Sequence, residues 1–241
     1  MKTAIVTGAS RGIGKSIVEK LLDQTWNVYG VSRTQPSVTN ENFHWISCDL
    51  RQPADIKAKL HIEESAIDLF VSNAGAAYWE PATDISEDSY AQTYNINVLA
   101  PMLIIAKLKA KLEKATIISI SSVSDRLVEP NFALYCSSKA ANTRYFETLA
   151  QELVGAKIFS LLPDYIDTPM LRTLQEGNDF DWDHALRVED MTQIIYELTT
   201  GRVDVESGSN IIVVNDHLAE DLETREKLYG YNVSTGELRK L

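Results

Sequence analysis

Short runs of β-branched residues alternate with longer stretches of helical periodicity, and this alternation constrains the fold more than any other feature. It is typical of βαβ units, in which helices cover both faces of a parallel sheet. The predicted strands are Thr3–Val6, Trp26–Val31, Phe43–Ser47, Asp68–Ser72, Thr116–Ser119, Lys157–Leu161 and Asn210–Val214. The predicted helices are Gly12–Asp23, Pro53–Ile62, Ser86–Leu112, Phe132–Leu153 and Val188–Thr199. The pattern therefore predicts one α/β domain over residues 1–241, with a doubly wound, mostly parallel sheet of seven strands.

Three places depart from this regular pattern. The segment SRTQPSVTNEN between the second and third strands is short and rich in turn formers, so we expect a loop there. Pro101 lies within the third predicted helix and is expected to kink it. The tail, residues 215–241, has no clear pattern. The sequence leaves two positions open for it, folded over the site or in a subunit interface.

Composition excludes several classes of protein. A chain of 241 residues can bury a core without cross-links, and its two cysteines, Cys48 and Cys136, are too few for a disulfide framework or a cysteine-rich metal site. We therefore expect a cytoplasmic protein without a metal. The net charge of -11 argues against a nucleic-acid partner. No apolar run approaches the roughly 18–20 residues of a membrane span, so no membrane partner is expected.

The first predicted strand ends in the glycine-rich turn TGASRGIG, which leads into a helix. Such a turn lets the backbone approach a pyrophosphate, and the helix start offers free amides. The spacing is GxxxGxG and not GxGxxG, and a plain connection is the alternative. Because the turn follows the first strand of an alternating chain, we interpret it as a dinucleotide phosphate site. The predicted contacts are Gly8, Ser10, Arg11, Gly12, Ile13 and Gly14.

The second predicted strand is followed by Ser32 and Arg33, where an NAD site usually carries an acidic residue. A carboxylate would repel a ribose 2'-phosphate, whereas an arginine beside a serine would bind it. Arg11 in the glycine turn can supply a second cation. Taken singly, each arginine is better explained as an ordinary surface residue. Together they favour NADP(H) over NAD.

The region after the fifth predicted strand contains Ser122, Tyr135 and Lys139. The tyrosine and lysine are four residues apart and therefore share one face of a helix. A chain of this composition is expected to contain about 0.5 Tyr-x-x-x-Lys pairs by chance, so the spacing alone does not identify a site. The serine, however, ends a strand at the edge where open α/β sheets bind ligands. In isolation each of the three has an ordinary structural role.

Six features in this order, TGASRGIG, SNAG, YNINV, Ser122, YCSSK and PDYIDTPM, resemble the short-chain dehydrogenase/reductase family. The resemblance covers about Thr3 to Val214 and implies a Rossmann-type fold, a nicotinamide cofactor and a homodimer or homotetramer. It implies as catalytic residues Asn97, Ser122, Tyr135 and Lys139. The resemblance also implies cofactor contacts beyond the glycine turn and the Ser32–Arg33 pair. These are Asp49, Leu50, Asn73, Ala74, Gly75, Tyr135, Lys139, Pro163, Ile166 and Thr168.

The chemistry of carbonyl reduction assigns the roles within this set. Negative charge develops on the carbonyl oxygen, which needs a hydrogen-bond donor and then a proton. Tyr135 would be the acid, Lys139 would lower the tyrosine pKa and hold the nicotinamide ribose, and Ser122 would bind the substrate oxygen. By resemblance, Asn97 would hold a water that connects the lysine to solvent.

One residue departs from the family pattern, because Asp164 stands where glycine usually follows the proline. Aspartate tolerates left-handed backbone better than most residues, so we expect the turn to survive. A carboxylate at this place is also expected to influence substrate or cofactor preference.

The substrate is expected to be bound by three loops, at about residues 76–85, 123–134 and 170–186. They carry the aromatic residues Tyr78, Trp79, Phe132, Phe180 and Trp182. These favour an apolar or aromatic ketone or aldehyde, and thus an NADPH-dependent carbonyl reductase. One alternative is a reductase of acyl groups on an acidic carrier protein, for which the chain lacks an obvious basic surface. A non-catalytic NADP-sensing protein would not need the Ser-Tyr-Lys set, and a sugar-nucleotide epimerase generally has a TGxxGxxG turn.

Overall fold

A nine-stranded sheet forms the centre of the computed structural model, which describes residues 1–215 and 228–240. The strands are β1 Thr3–Thr7, β2 Asn27–Ser32, β3 Phe43–Ser47, β4 Leu69–Ser72, β5 Thr116–Ile120, β6 Lys157–Pro163, β7 Ser209–Val214, β8 Leu228–Asn232 and β9 Glu237–Lys240. The described α-helices are α1 Gly12–Asp23, α2 Pro53–Lys59, α3 Glu87–Tyr94, α4 Ala100–Leu108, α5 Ala133–Glu152, α6 Pro169–Leu174 and α7 Val188–Thr200.

The strand order is β3-β2-β1-β4-β5-β6-β7-β8-β9, and all neighbours are parallel except β8 and β9. The strands β2 and β3 lie on one side of β1, and the strands from β4 onward lie on its other side. Val6 of β1 is therefore paired with Gly30 on one side and with Val71 on the other. Such a reversal leaves a crevice at the carboxyl ends of the strands, which is where ligands bind in open α/β sheets.

The core lies on both faces of the sheet, as the mostly parallel arrangement requires. On one face α1 and α7 contribute buried residues such as Leu21 and Ile194. On the other face α4 and α5 contribute buried residues such as Ile104 and Phe146. The predicted doubly wound α/β fold with helices on both faces is confirmed. The predicted loop between β2 and β3 also lacks a helix.

The prediction of seven strands is wrong, because the tail adds β8 and β9 as a hairpin beyond β7. Its turn contains Gly236 at φ +70°, and Tyr231 is buried with its hydroxyl donating to Glu197 at 3.1 Å. Two short strands at the edge of a sheet need few buried side chains, so they show no continuous apolar run. Residues 216–227 and 241 of the tail lie outside the described part of the chain.

The predicted helix Ser86–Leu112 is divided into α3, a π-helical turn at Asn95–Leu99 and α4. In this turn the amide of Ala100 donates to the carbonyl of Asn95, five residues earlier. Pro101 has no amide to donate to the Asn97 carbonyl, so the regular ladder is interrupted at that point. The expected irregularity at Pro101 thus takes the form of a π-helical turn. Over the described residues, no helix has the length and apolar character needed to cross a bilayer.

Candidate active site

The glycine turn between β1 and α1 brings the backbone close to the end of β4. Gly8 has φ +69°, and a Cβ on it would lie 2.8 Å from the side-chain nitrogen of Asn73. A Cβ on Gly14 would collide with the carbonyl oxygen of Gly8. Arg11, the N-cap residue of α1, does not cap the first helical amides with its side chain. The turn therefore has the free amides and the close backbone approach that a pyrophosphate needs.

Thr7 holds the segment after β4 beside this turn. Its Oγ1 accepts hydrogen bonds from the amides of Asn73 at 2.9 Å and Ala74 at 3.0 Å. The side-chain amide of Asn73 donates in return to the Thr7 carbonyl at 2.8 Å. Asn73, Ala74 and Gly75 are thereby fixed at the mouth of the crevice, next to the glycine turn.

A cavity of about 590 Å³ opens at the carboxyl ends of the strands. Its volume is typical of sites for small molecules and cofactors. It is lined by most of the residues that the sequence analysis identified, namely Gly8, Arg11, Gly12, Ile13, Ser32, Arg33, Asp49, Leu50, Asn73, Ala74, Gly75, Ser122, Tyr135, Lys139, Pro163, Ile166 and Thr168. The predicted residues that do not line it are Ser10, Gly14 and Asn97.

Arg11 and Arg33 lie at one end of the cavity, and both are exposed. Neither forms an ion pair with any residue in the described ranges. Ser32 is buried, and its hydroxyl donates to the Thr34 carbonyl at 2.8 Å and accepts the Trp45 indole N–H at 3.2 Å. The serine proton is thus already used, so the two arginines supply the capacity to bind an anion.

Asp49 lies at the same end and is held by Arg51, a residue that the sequence analysis did not identify. The guanidinium of Arg51 donates to both carboxylate oxygens, with its Nε at 3.0 Å and its Nη2 at 2.7 Å. This pairing lowers the pKa of Asp49, and the charge of Arg33 contributes in the same direction. The carboxylate therefore stays ionised and keeps a fixed orientation beside the buried Leu50.

Tyr135 and Lys139 lie one turn apart on α5, with the lysine Nζ 5.5 Å from the centre of the tyrosine ring. The Nζ donates to the carbonyl of Ile120 at 2.8 Å. Burial lowers the pKa of Lys139 to about 8. Burial raises the pKa of Tyr135 to about 12, and a hydrogen bond with Ser122 opposes that rise. The hydrogen bond to Ile120 fixes the lysine ammonium group, and its predicted role in lowering the tyrosine pKa stays a prediction.

Ser122 combines its predicted place at the carboxyl end of β5 with a local structural role. Its hydroxyl lines the cavity and also accepts the amide of Ser124 at 3.1 Å, which caps the short turn Val123–Asp125. The cap fixes the hydroxyl, while its proton stays available for a ligand or for Tyr135. Ser122 and Tyr135 therefore direct two hydroxyl groups into one part of the cavity.

The buried Lys139 leads to a prediction about stability. Between pH 8 and 10.5 the unfolded chain binds more protons at this lysine than the folded chain does, so wild-type stability should rise with pH. Lys139→Met removes this cost, and we expect the variant to be more stable by about 1–3 kcal/mol below pH 8. Urea unfolding at several pH values measures the difference. An advantage that did not shrink between pH 8 and 10.5 would contradict the prediction.

Asn97 is buried, and its side chain points away from the cavity into a local network. Its Oδ1 accepts the amide of Ala76 at 2.8 Å, and its Nδ2 donates to the Ala76 carbonyl at 2.9 Å. The same Nδ2 donates to the Ser138 hydroxyl at 2.9 Å. The side chain therefore fixes the segment after β4 against α5, and the predicted water-holding role stays a prediction.

Asn142 on α5 completes this network and was missed by the sequence analysis. Its Nδ2 donates to the Asn97 carbonyl at 2.7 Å, and its Oδ1 accepts the hydroxyl of Ser119 at 2.5 Å. The Asn97 carbonyl needs such a partner because Pro101, four residues later, has no amide to give. A proline inside a predicted helix is thus the sequence signal that a buried carbonyl requires a side-chain donor.

We expect Asn142→Leu to destabilise the fold by roughly 2–4 kcal/mol, because it leaves the Asn97 carbonyl and the Ser119 hydroxyl without partners. The matched control is Thr143→Val on the same helix. It removes the 2.7 Å bond to Ser121 but leaves the Ser121 hydroxyl a second acceptor, the Lys139 carbonyl. Urea unfolding compares the two variants. A loss for Asn142→Leu no larger than that for Thr143→Val would contradict this interpretation.

Asp164 does not adopt the left-handed backbone that its position led us to expect. Among the described residues other than glycine, positive φ occurs at Thr25 and Asn131 only. The amide of Asp164 donates to the Val213 carbonyl at 3.2 Å, and its Oδ1 accepts the amide of Tyr165 at 2.9 Å. The turn thus forms without a glycine-like conformation. The side chain lines the cavity, and burial raises the pKa of its carboxyl.

Of the five loop aromatics expected around the substrate, only Phe132 lines the cavity. Trp79 packs edge-on against it at 4.9 Å between ring centres, and Phe180 packs between Tyr165 and Trp182. The aromatics therefore support the loops and mostly do not form the cavity wall. The apolar wall at this end consists of Leu127, Val128, Phe132, Met170, Leu171 and Leu174.

Comparison with known proteins finds oxidoreductases of similar sequence and a short chain dehydrogenase of similar structure. The chain is 29% identical over 192 residues to an uncharacterized oxidoreductase of Saccharomyces cerevisiae, covering 73% of this chain and 75% of the relative. It is 29% identical to the NADPH-dependent 3-dehydrocapnine reductase of Ornithobacterium rhinotracheale, covering 74% and 70%. A crystal structure of a short chain dehydrogenase family protein from Francisella tularensis superposes with a TM-score of 0.80 at 25% identity, covering 88% and 96%.

The doubly wound sheet and the glycine turn define an α/β protein of the dinucleotide-binding class. Within that class the pattern described as short chain dehydrogenase matches residues 2–179, well over half of the chain. The protein therefore belongs to the short-chain dehydrogenase family, and it is an oxidoreductase of that family. The expected family resemblance is confirmed.

Proposed function

We propose that the protein is an NADPH-dependent carbonyl reductase that converts a ketone or aldehyde of a small, largely apolar molecule to an alcohol. The observation that carries this proposal is the convergence of Ser122, Tyr135 and Lys139 with the glycine turn in one cavity. Family membership supports oxidoreductase activity. The NADPH-dependent relative supports the choice of cofactor, although that property belongs to the relative.

The residues present fit a dinucleotide phosphate. The amides of Gly12 and Ile13 at the start of α1 would hold the pyrophosphate, and Arg11 and Arg33 would hold a 2'-phosphate. Asp49, with its fixed carboxylate, would accept from the adenine. Thr168, whose methyl group lies opposite Gly12, would lie near the nicotinamide end of the turn. When bound, the cofactor supplies the hydride.

The hydroxyl groups of Ser122 and Tyr135 would donate hydrogen bonds to the substrate carbonyl oxygen as it becomes negative. A phenol whose pKa burial raises to about 12 stays protonated at neutral pH, which suits a proton donor in the direction of reduction. Lys139, with a pKa lowered to about 8, is mostly charged at neutral pH and can hold a ribose hydroxyl or follow the tyrosine as a proton source.

The proposal includes assembly as a homodimer or homotetramer in the cytoplasm. Tyr90 on α3 is 51% exposed and stacks on Tyr94, which leaves an aromatic surface beside α5. Light scattering after size-exclusion chromatography measures the assembly. A monomer at micromolar concentration would contradict this part of the proposal.

The test is oxidation of NADPH and of NADH, followed by absorbance, with aryl ketones, aliphatic ketones, aldehydes and a ketoacyl thioester. We expect turnover of ketones or aldehydes and at least a tenfold preference for NADPH. Turnover of the thioester alone would favour a reductase of carrier-bound acyl groups. Cofactor binding without turnover of any carbonyl would favour a non-catalytic nucleotide-binding protein.

A further inference from the structure

The charged residues of the cavity are divided between its two ends. Arg11, Arg33 and Asp49 lie at the end assigned to the adenosine. Glu129 and Asp164 lie at the other end, beyond Tyr135. Among the described residues that line this second end there is no lysine, arginine or histidine. Lys139 lies between the two ends, and its ammonium group is directed at the Ile120 carbonyl.

Glu129 lies within electrostatic reach of the reacting phenol. Its Oε1 accepts the hydroxyl of Tyr165 at 2.9 Å. Its negative charge contributes to raising the pKa of both Tyr165 and Tyr135, after the larger effect of burial on each. The carboxylate, on the loop that follows β5, therefore contacts Tyr165 and lines the same cavity as Tyr135. No cationic side chain in the described ranges forms an ion pair with it.

Asp164 lies on the other side of Tyr165, at the end of β6. One of its oxygens accepts the amide of Tyr165, and the structure gives the side chain no cationic partner among the described residues. Its charge also contributes to raising the pKa of Tyr165, as that of Glu129 does. Two loops that follow neighbouring strands thus each place one carboxyl group in contact with Tyr165, and both residues line the cavity.

The walls around these carboxyl groups are apolar, formed by Leu127, Phe132 and the side chains of α6. A carboxylate that is partly removed from water without a cation is unfavourable, and it attracts a cationic ligand group while repelling an anionic one. Independent evidence that the cavity binds a ligand comes from the hydroxyl groups of Ser122 and Tyr135 and the ammonium group of Lys139. The two carboxyl groups therefore determine what charge its ligand can carry.

We propose that the substrate is an amino ketone or amino aldehyde, an apolar carbonyl compound with a protonated amine, and that Glu129 and Asp164 are its specificity-determining residues. The amine binds between the two carboxylates while the carbonyl oxygen reaches Ser122 and Tyr135. This inference rests on the proposed reductase function and adds the charge of the substrate to it. It also excludes keto acids and phosphorylated carbonyl compounds as good substrates.

The test compares three aryl ketones of matched size: 4-(aminomethyl)acetophenone, 4-ethylacetophenone and 4-acetylbenzoic acid. With NADPH, we expect kcat/KM to be about 10- to 100-fold higher for the amine than for the neutral ketone, as a charge-assisted contact would give. We expect the acid to be the poorest of the three. Equal kcat/KM for the amine and the neutral ketone would overturn the inference.

The variants Glu129→Gln and Asp164→Asn assign the effect to these residues. Each should lower the ratio of amine to neutral turnover, and the double variant should bring it close to one. The matched control is Asp23→Asn, which removes one negative charge from an exposed residue outside the cavity and the three substrate loops and should keep the ratio. A ratio that survives in the double variant, or falls equally in Asp23→Asn, would overturn the assignment.

The neutral ketone separates this inference from the proposed function. Turnover of 4-ethylacetophenone equal to that of the amine leaves the reductase function standing and overturns the charge preference. Failure of all three ketones, beside turnover of other ketones or aldehydes, overturns the inference alone. Failure of every ketone and aldehyde with both NADPH and NADH overturns the proposed function, and the inference that rests on it. A role of Glu129 limited to holding Tyr165 predicts that Glu129→Gln lowers all three rates equally, which would also overturn the inference.

Discussion

Replacement of Tyr135 by phenylalanine is expected to lower kcat by about 100- to 10,000-fold, the usual contribution of a general acid. Phenylalanine keeps the ring that packs against Phe132 at 5.8 Å between ring centres, so the fold and the cavity wall should persist. What is lost is the hydroxyl beside Ser122, which would donate to the carbonyl oxygen and then protonate it. Initial rates at saturating cofactor and ketone measure the effect.

Tyr145→Phe is the matched control for this experiment. Tyr145 lies on the same helix, and burial raises its pKa to about 12 as well, but it packs against Phe146 in the core. This variant should keep wild-type turnover, whereas Tyr135→Phe should keep only the binding of NADPH, measured by nicotinamide fluorescence. Turnover of Tyr135→Phe within tenfold of wild type would show that another group supplies the proton.

Replacement of Arg33 by aspartate is expected to reduce the preference for NADPH over NADH by about 100-fold or more. It removes a charge-assisted bond of about 1.5–3 kcal/mol and adds repulsion between the aspartate and a 2'-phosphate. Because the Ser32 proton is donated to the Thr34 carbonyl, the serine cannot replace the missing cation. The ratio of kcat/KM for the two cofactors measures the change.

Lys114→Asp changes the net charge by the same amount at an exposed residue outside the cavity. The control should keep the wild-type cofactor ratio, which separates a local effect from a change in overall charge. An unchanged ratio in Arg33→Asp would mean that the 2'-phosphate is not bound at this end of the cavity.

Much of the fold could be predicted because buried parallel strands carry near-continuous apolar runs. The predicted strand Phe43–Ser47 and the predicted helix Gly12–Asp23 have the bounds that the structure gives. The grouping of the site residues follows from the same pattern. Strands that run in parallel bring their carboxyl ends to one edge, so the glycine turn after β1 and Ser122 after β5 meet there.

The remaining features depend on tertiary contacts that leave little trace in the local sequence. The hairpin of β8 and β9 lies at an edge and buries few side chains. Asn142 resembles any polar helical residue until Pro101 is known to leave the Asn97 carbonyl without a donor. Arg51 and Glu129 likewise look like surface charges in the sequence, because only the fold brings them to Asp49 and Tyr165.

The most direct test of the central claim is transfer of deuterium from 4-deuterated NADPH to a carbonyl substrate, followed by mass spectrometry of the product. We expect the wild-type protein to form an alcohol that carries deuterium at the former carbonyl carbon, and Tyr135→Phe to bind the cofactor but form almost none. Tight binding of NADPH by the wild type without any deuterated alcohol, across ketones and aldehydes of each charge, would contradict the claim that this cavity is the active site of a carbonyl reductase.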